Sequence, residues 1–422
     1  MELSVVIPSL NEADNLTRLL PQLHQVLPDL VDGYEIIVVD NHSPDGTEEI
    51  CAAAGADLVH QTAPGYGGAL WAGFERACGE YVLTMDADLS HVPEFVPTMW
   101  SRRCDADVII ASRYVEGGSA DMPAYRYVLS IILNVVYTRL LSLPVKDISS
   151  GFRLYHASAL GNLDLQSNDF DALEEILIKC YAQGSEIAEI PFHYVPRDSG
   201  KSKVKLLRFG LSYLRTFMRM WKLRNSSESA DYDARAFDSI IPLQRYWQRR
   251  RHGIVMGMID GREACLDIGC GSSRILGDLG DRSIGLDVQL SKLRYSKCYH
   301  HPLVQASGLA LPFADSTLEQ VVCSQVIEHI PSGAQPFQEM ARVLRDGGVL
   351  VLGTPDYGRW QWNVTEHLYG FFAPGAYANE HITHYTRAGL IASMETHGFR
   401  VRRYEYILGS ELILLFQKGN EG

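Results

Sequence analysis

No Cys-x-x-Cys pair occurs in this sequence. Its eight cysteines (51, 78, 104, 180, 265, 270, 298 and 323) are scattered, which argues against a disulfide framework or a cysteine zinc site and for a reduced, cytoplasmic setting. Positive charge is scarce overall. A net charge of −13 argues against general nucleic-acid binding, so any basic patch must be local. A long unbroken hydrophobic run is also missing. The nearest, 128–145, is interrupted by Asn134, Arg139 and Pro144 and reads as a buried helix, with an interfacial position as the alternative. Met1 leads straight into strand-like 3–8, so no signal peptide is expected, and no internal repeat is visible.

What is present suits two or three soluble domains: 422 residues, 46% hydrophobic and 21% charged. The front of the chain is organised around Tyr81-Val82-Leu83-Thr84-Met85-Asp86-Ala87-Asp88-Leu89-Ser90-His91, a short apolar strand ending in two carboxylates one residue apart. Asp-x-Asp at a strand end can present oxygens to a hard divalent ion, Mg²⁺ or Mn²⁺, that keeps positions open for nucleotide phosphates. Strand 3–8, a helical pattern at Leu16, Leu19, Leu20 and Leu23, and strand 34–39 form a βαβ start. Asp40, at a strand tip, reads equally as an acceptor for a base or ribose or as a helix N-cap. Pro64-Gly65-Tyr66-Gly67-Gly68-Ala69 opens a helix and either lets a diphosphate approach the backbone or is simply a tight turn.

Six motifs in order carry a resemblance: Val5-Val6-Ile7-Pro8-Ser9-Leu10-Asn11-Glu12, Val39-Asp40-Asn41-His42-Ser43-Pro44-Asp45-Gly46-Thr47, the Asp86–Asp88 stretch, Ser112-Arg113-Tyr114, Ser149-Ser150-Gly151-Phe152-Arg153-Leu154-Tyr155 and Arg197-Asp198-Ser199-Gly200-Lys201-Ser202-Lys203. Residues 1–225 resemble family 2 glycosyltransferases of the dolichyl-phosphate (polyprenyl-phosphate) mannosyltransferase type, which implies a GT-A nucleotide-diphospho-sugar transferase fold. The resemblance implies metal at Asp86 and Asp88 with Ser90 beside it, and nucleotide-sugar contacts from Pro8, Glu12, Asp40, Gly67 and Lys203. It places Arg113, Arg126 and Ser130 on a lipid phosphate and Arg197 near the donor diphosphate. The donor so implied is GDP-mannose and the acceptor a polyprenyl or dolichyl phosphate.

Asp147 reads as a cap, with a base or orienting role as the alternative, and Glu174 and Glu175 as a solvated acidic face. From Lys201 to Arg224 there are eight basic residues and no acid, while Leu207, Leu211, Leu214, Met218 and Trp221 make one helical stripe. This basic amphipathic helix, 203–224, reads as a membrane-surface element that would hold the protein on the cytoplasmic face. Packing onto a second domain is the alternative.

A polar linker, 226–230, leads to 231–422. There Ala264-Cys265-Leu266-Asp267-Ile268-Gly269-Cys270-Gly271 runs from strand to turn, and the next strand ends at Asp287. With Val326-Ile327-Glu328-His329 and Leu344-Arg345-Asp346-Gly347-Gly348-Val349, this half resembles Rossmann-like class I S-adenosylmethionine-dependent methyltransferases. The resemblance implies that Asp267, Gly269 and Gly271 form the cofactor loop, that Asp287 takes the ribose and that Ser307 lies beside the adenine. His381 or His384 could remove a proton during methyl transfer, or serve only as loop histidines. The expectation is therefore a bifunctional enzyme. Its rivals are a front half acting on a saccharide or small molecule and a back half that only binds cofactor or acts as a scaffold.

Overall fold

Short aliphatic runs bounded by turn residues become the strands of two separate sheets. A computed structural model describes residues 1–161, 163–195, 206–261, 263–372 and 381–419, without the side chains of 206–209 and 368–372. It divides into two compact units, Met1–Tyr181 with Ser185–Trp221, and Ala182–Gly184 with Lys222–Gly422.

In the first unit the strands are β1 (Leu3–Ser9), β2 (Tyr34–Asp40), β3 (Asp57–His60), β4 (Tyr81–Thr84), β5 (Val108–Ser112), β6 (Ser119–Ala120), β7 (Arg153–His156), β8 (Ile187–Pro191) and β9 (His193–Tyr194). Seven of them form one sheet in the order β3-β2-β1-β4-β7-β5-β8. β7 runs antiparallel to both β4 and β5, and the remaining pairings are parallel. Helix Ala13–Val26 buries Leu16, Leu19, Leu20 and Leu23 on this sheet, the stripe its spacing predicts. Register aligns Ser9 with Asp40 and Val6 with Thr84, so Pro8, Asp40 and the carboxylates after β4 share the carboxyl edge, where such sheets bind ligands.

The second unit contains β10 (Cys265–Ile268), β11 (Ile284–Asp287), β12 (Leu303–Gln305), β13 (Leu318–Ser324), β14 (Leu344–Pro355), β15 (Phe399–Ile407) and β16 (Glu411–Lys418). Their order is β12-β11-β10-β13-β14-β16-β15. β16 is antiparallel to both neighbours, a reversed hairpin closing an otherwise parallel doubly wound sheet. The two units thus have the GT-A and class I methyltransferase folds expected. The polar stretch near 226–230 is packed rather than slack: Ser229 and Ala230 are buried, and Arg224 forks onto Asp231 at 2.6 and 2.7 Å.

Two expectations need correction. The apolar run near 128–145 is not a buried helix. Helix Ala124–Leu140 buries only Asn134 and Tyr137 and turns Tyr125, Val128, Leu129, Ile132 (53% exposed) and Leu140 outward. Hydrophobicity without a clear stripe gave no indication of which side faces water. Glu174 and Glu175 are fully buried rather than solvated. Glu175 accepts the Ser167 amide at 2.7 Å and pairs with Lys179, whereas neither oxygen of Glu174 has a hydrogen-bond partner among the described residues. Burial pushes the Glu174 carboxyl up to about 8. The glycines at 65, 67 and 68 make room for the protein itself. A Cβ on Gly65 would lie 2.2 Å from the Asn168 oxygen, one on Gly67 2.4 Å from the Ser167 oxygen, and one on Gly68 2.2 Å from the Ala63 oxygen. The Gly67 amide is donated to Asn168 O at 2.8 Å.

Candidate functional sites

In the first unit Asp86 lies just beyond β4, where its Oδ1 accepts the Tyr66 hydroxyl at 2.9 Å and its amide donates to His91 Nδ1 at 2.8 Å. Asp88 is almost fully buried, and its Oδ1 accepts both the amide (3.1 Å) and the hydroxyl (2.5 Å) of Ser90. Ser90 therefore braces Asp88 from within the protein. Two carboxylates one residue apart are a hard oxygen donor set, which suits Mg²⁺ or Mn²⁺. Gly151 keeps that side open, since a Cβ there would meet the Tyr66 hydroxyl at 2.7 Å and Asp86 Oδ1 at 3.7 Å.

A cavity of about 140 Å³ brings Asp86 together with Tyr66, His91, Arg113, Ser149 and Gly151. Arg113 reaches it from the end of β5. Its Nε and Nη2 fork onto Asp147 at 2.8 and 2.7 Å, and Nη2 also donates to Ser149 Oγ at 2.8 Å. Among the described residues its Nη1 has no hydrogen-bond partner, so that side of the fork is available. Burial alone would raise the Asp147 carboxyl, but the Arg113 hydrogen bonds and charge hold it below the usual carboxylate range. Asp147 is thus neither a helix cap nor a base: it orients Arg113. Ser130 joins the same network, accepting the Tyr114 hydroxyl at 2.7 Å and lying 3.5 Å from Ser149 Oγ. Arg126 stands one turn earlier on the same helix, exposed.

The other expected contacts are less concentrated. Glu12 precedes the helix Ala13–Val26 and accepts Asn15 Nδ2 at 2.6 Å. Asp40 is buried and takes both the amide and the hydroxyl of Ser43 at 2.6 Å, an Asx turn rather than a helix N-cap. Pro8 sits in β1 beside it. Arg197 and Lys203 lie outside the described residues.

In the second unit a cavity of about 560 Å³ gathers Asp267, Gly269, Gly271, Asp287 and Ser307 with Asp233, Lys292, His329, Trp362, Glu366 and His381. Gly269 and Gly271 adopt φ 67° and 52°, which favours glycine, and Val326 packs where a Gly269 side chain would be. Asp287 accepts the amides of Gly271 (2.9 Å) and Gln289 (2.8 Å). Asp267 Oδ2 is buried and has no hydrogen-bond partner among the described residues. Desolvation, reinforced by Asp287, pushes this carboxyl up to about 8. An unsatisfied buried acceptor fits the ammonium of S-adenosylmethionine, which supplies both donor and charge.

His381 lines this cavity, but His384 does not: it is exposed and stacked on Tyr357 at 3.9 Å. Burial, with His329 and His384 nearby, lowers His381 to about 4, a weak base at neutral pH. Sequence reasoning missed Tyr66, His91, Asp233, Lys292 and Tyr357. Asp233 pairs with Lys292 at 3.4 Å against the glycine loop, a contact across 59 positions with no local signal.

Residues 4–163 match the family described as Glycosyl transferase family 2, and residues 266–352 match a Methyltransferase domain family. Dolichol-phosphate mannosyltransferase of Pyrococcus furiosus is 34% identical over 233 residues, 53% of this chain and 64% of that protein. The chain thus spans just under two thirds of that relative's length. Undecaprenyl-phosphate mannosyltransferase of Micrococcus luteus is 32% identical over 218 residues, 48% of this chain and 88% of that protein. Polyprenol monophosphomannose synthase of Mycolicibacterium smegmatis is 33% identical over 215 residues, 47% of this chain and 80% of that protein.

Proposed function

Because the chain belongs to glycosyl transferase family 2 and carries a methyltransferase domain behind that part, we propose that it performs two group transfers. The front half moves a hexose, mannose from GDP-mannose, onto a polyprenyl phosphate, and the back half methylates a glycan or lipid of the same pathway. The observation that carries the first reading is the cavity joining Asp86 to Arg113 and Ser149. It sets a donor-side carboxylate beside a cationic fork, the layout a transfer between two phosphate-bearing substrates needs.

A phosphate monoester is already an anion at neutral pH, so the acceptor needs no general base. The protein's task is alignment and charge neutralisation. Asp147 holds the Arg113 fork in one plane, and Nη1 is offered to the acceptor phosphate beside Ser130 and Ser149. Arg126, exposed one turn earlier, meets the phosphate from the solvent side. Tyr66 holds the Asp86 carboxylate, His91 its backbone amide, and Ser90 the Asp88 carboxylate. These two acids would hold Mg²⁺ or Mn²⁺, which stabilises a departing nucleoside diphosphate. One displacement inverts the anomeric carbon.

The acceptor's lipid gives a reason for the apolar outward faces. Leu211, Leu214 (57% exposed), Met218 and Trp221 lie along helix Leu206–Arg224, matching the outward residues of helix Ala124–Leu140. No helix among the described residues is long and apolar enough to cross a membrane. These faces rest on an anionic membrane surface, peripherally and on the cytoplasmic side. In the back half Asp267 and the glycine loop would hold S-adenosylmethionine, the methyl source, with Asp287 at its ribose and Ser307 by its adenine.

Nucleoside diphosphate release from a panel of GDP- and UDP-sugars, with and without polyprenyl phosphate, tests the first reading. Release from GDP-mannose that requires the lipid phosphate is expected. Equal release when a free saccharide replaces the lipid would contradict it.

A further inference from the structure

We propose that Glu328, His329 and His381 form a binding site for a divalent first-row transition ion in the wall of the methyltransferase cavity. One ligand atom from each side chain lies within 4.8 Å of the others. Glu328 and His329 share the short turn Ile327–His329 that follows β13, and His381 comes from a loop 52 positions later. Two backbone hydrogen bonds tie these segments together: the Ile382 and Thr383 amides donate to Glu328 O at 2.8 and 3.0 Å. The Thr383 hydroxyl adds a third tie, to Ile330 O at 2.6 Å. The three side chains are therefore held together by the fold.

The independent observation is at Glu328. It is fully buried, one carboxyl oxygen accepts the Thr354 hydroxyl at 3.2 Å, and the other has no hydrogen-bond partner among the described residues. A buried carboxylate oxygen needs a cation or a proton, and a carboxylate beside two imidazoles is a ligand set for the former. Tyr357 prepares His381 for this role. Its hydroxyl donates to Glu366 Oε1 at 3.1 Å, so its oxygen can accept His381 Nδ1–H at 2.8 Å, leaving Nε2 with its lone pair. Fixing the far ring nitrogen in this way is what outer partners of metal-bound histidines do.

Two imidazoles and one carboxylate select Zn²⁺, Fe²⁺ or Co²⁺ over Mg²⁺ or Ca²⁺, and three protein ligands leave a position open. The site opens on the same cavity as Asp267 and Asp287, since His329 and His381 line it. An ion there would bind and acidify a hydroxyl-bearing molecule. That last role rests on the methyl-transfer reading above, whereas ion binding does not.

The test is titration of chelator-stripped full-length protein with Co²⁺ alone, followed by visible absorption and a binding isotherm. S-adenosylmethionine affinity is measured in parallel. Wild type and Asp88→Ala should both take up one Co²⁺ with the visible bands of a nitrogen-ligated ion. Glu328→Gln and His381→Gln should lose those bands while keeping the wild-type far-UV circular dichroism and unfolding midpoint. Tyr357→Phe leaves the ligands in place and should weaken Co²⁺ by about tenfold or more. The proposal is overturned if wild type shows no nitrogen-ligated Co²⁺, or if Tyr357→Phe, Glu328→Gln and His381→Gln all bind as wild type does. Nitrogen-ligated Co²⁺ without S-adenosylmethionine binding would sink the methyl-transfer reading and leave the ion site standing.

Discussion

Asp267 illustrates how one residue links burial to ligand chemistry. Its carboxyl is pushed up from an ordinary value of 3.8 to about 8, because desolvation disfavours the charge and Asp287 adds to it. The folded state thus keeps a proton that the unfolded chain has lost. The residue's contribution to stability is full below about pH 4 and falls as pH rises toward 8. A cationic ligand reverses the preference, so binding S-adenosylmethionine near pH 7 should release a proton. Calorimetry in two buffers of different ionisation enthalpy measures this, and Asp267→Asn should abolish the release. Proton release unchanged in that variant would contradict the assignment. Gly67 makes a second residue-scale prediction. A methyl group there meets Ser167 O at 2.4 Å and the Ala172 methyl at 2.7 Å, so Gly67→Ala should cost about 1–3 kcal/mol in denaturant unfolding. A neutral substitution would mean that the 167–172 segment yields easily. The sequence displayed the Gly65–Gly68 cluster but not what fills the space beside Gly65 and Gly67, because those partners, Ser167 and Asn168, are distant in the chain.

At the scale of elements, legibility followed local periodicity. The stripe of Ala13–Val26 was readable because one face is buried, and the strands around Asp86 and Asp267 because they are buried on both faces and read as short unbroken apolar runs. Helix Ala124–Leu140 was not, since its apolar residues are spread around it and face outward while Asn134 faces inward to bind Ser130 and Ser149. The acids of helix Ala172–Ala182 misled for the opposite reason: both are buried by distant chain, Glu175 against Arg219, rather than facing water. If the outward faces rest on a membrane, Ile132→Glu with Leu214→Glu should leave unfolding free energy within about 1 kcal/mol, as for exposed positions. The same pair should lower cosedimentation with anionic vesicles by about tenfold or more, each lost apolar contact being worth about 1.5–3 kcal/mol at full burial. Vesicle binding that survives both changes would remove these helices from the interface.

Across the whole molecule, both folds were legible because each half carries several ordered motifs, whereas the pairings that shape each site were not. Arg113 with Asp147 spans 34 positions and Glu328 with His381 spans 53, separations that only the sheet topology brings together. Two compact units with separate cavities should tolerate separate damage. Asp88→Ala should spare S-adenosylmethionine binding, and Asp287→Ala should spare sugar transfer, when both are assayed on the full chain. Loss of both functions in either variant would contradict that independence. The central claim is transfer of a hexose to a lipid phosphate at the Asp86–Arg113 cavity. It is tested most directly by following radiolabel from GDP-mannose into an organic-extractable polyprenyl-phospho-sugar, with wild type and Asp88→Ala compared with and without chelator. The account predicts labelled lipid from wild type with Mg²⁺ or Mn²⁺, none with chelator, and a fall on the order of 10²–10³ for the variant, as for removing one preorganised charge-stabilising group. Label that stays in the aqueous phase, or lipid labelling indifferent to both metal and Asp88, would contradict it.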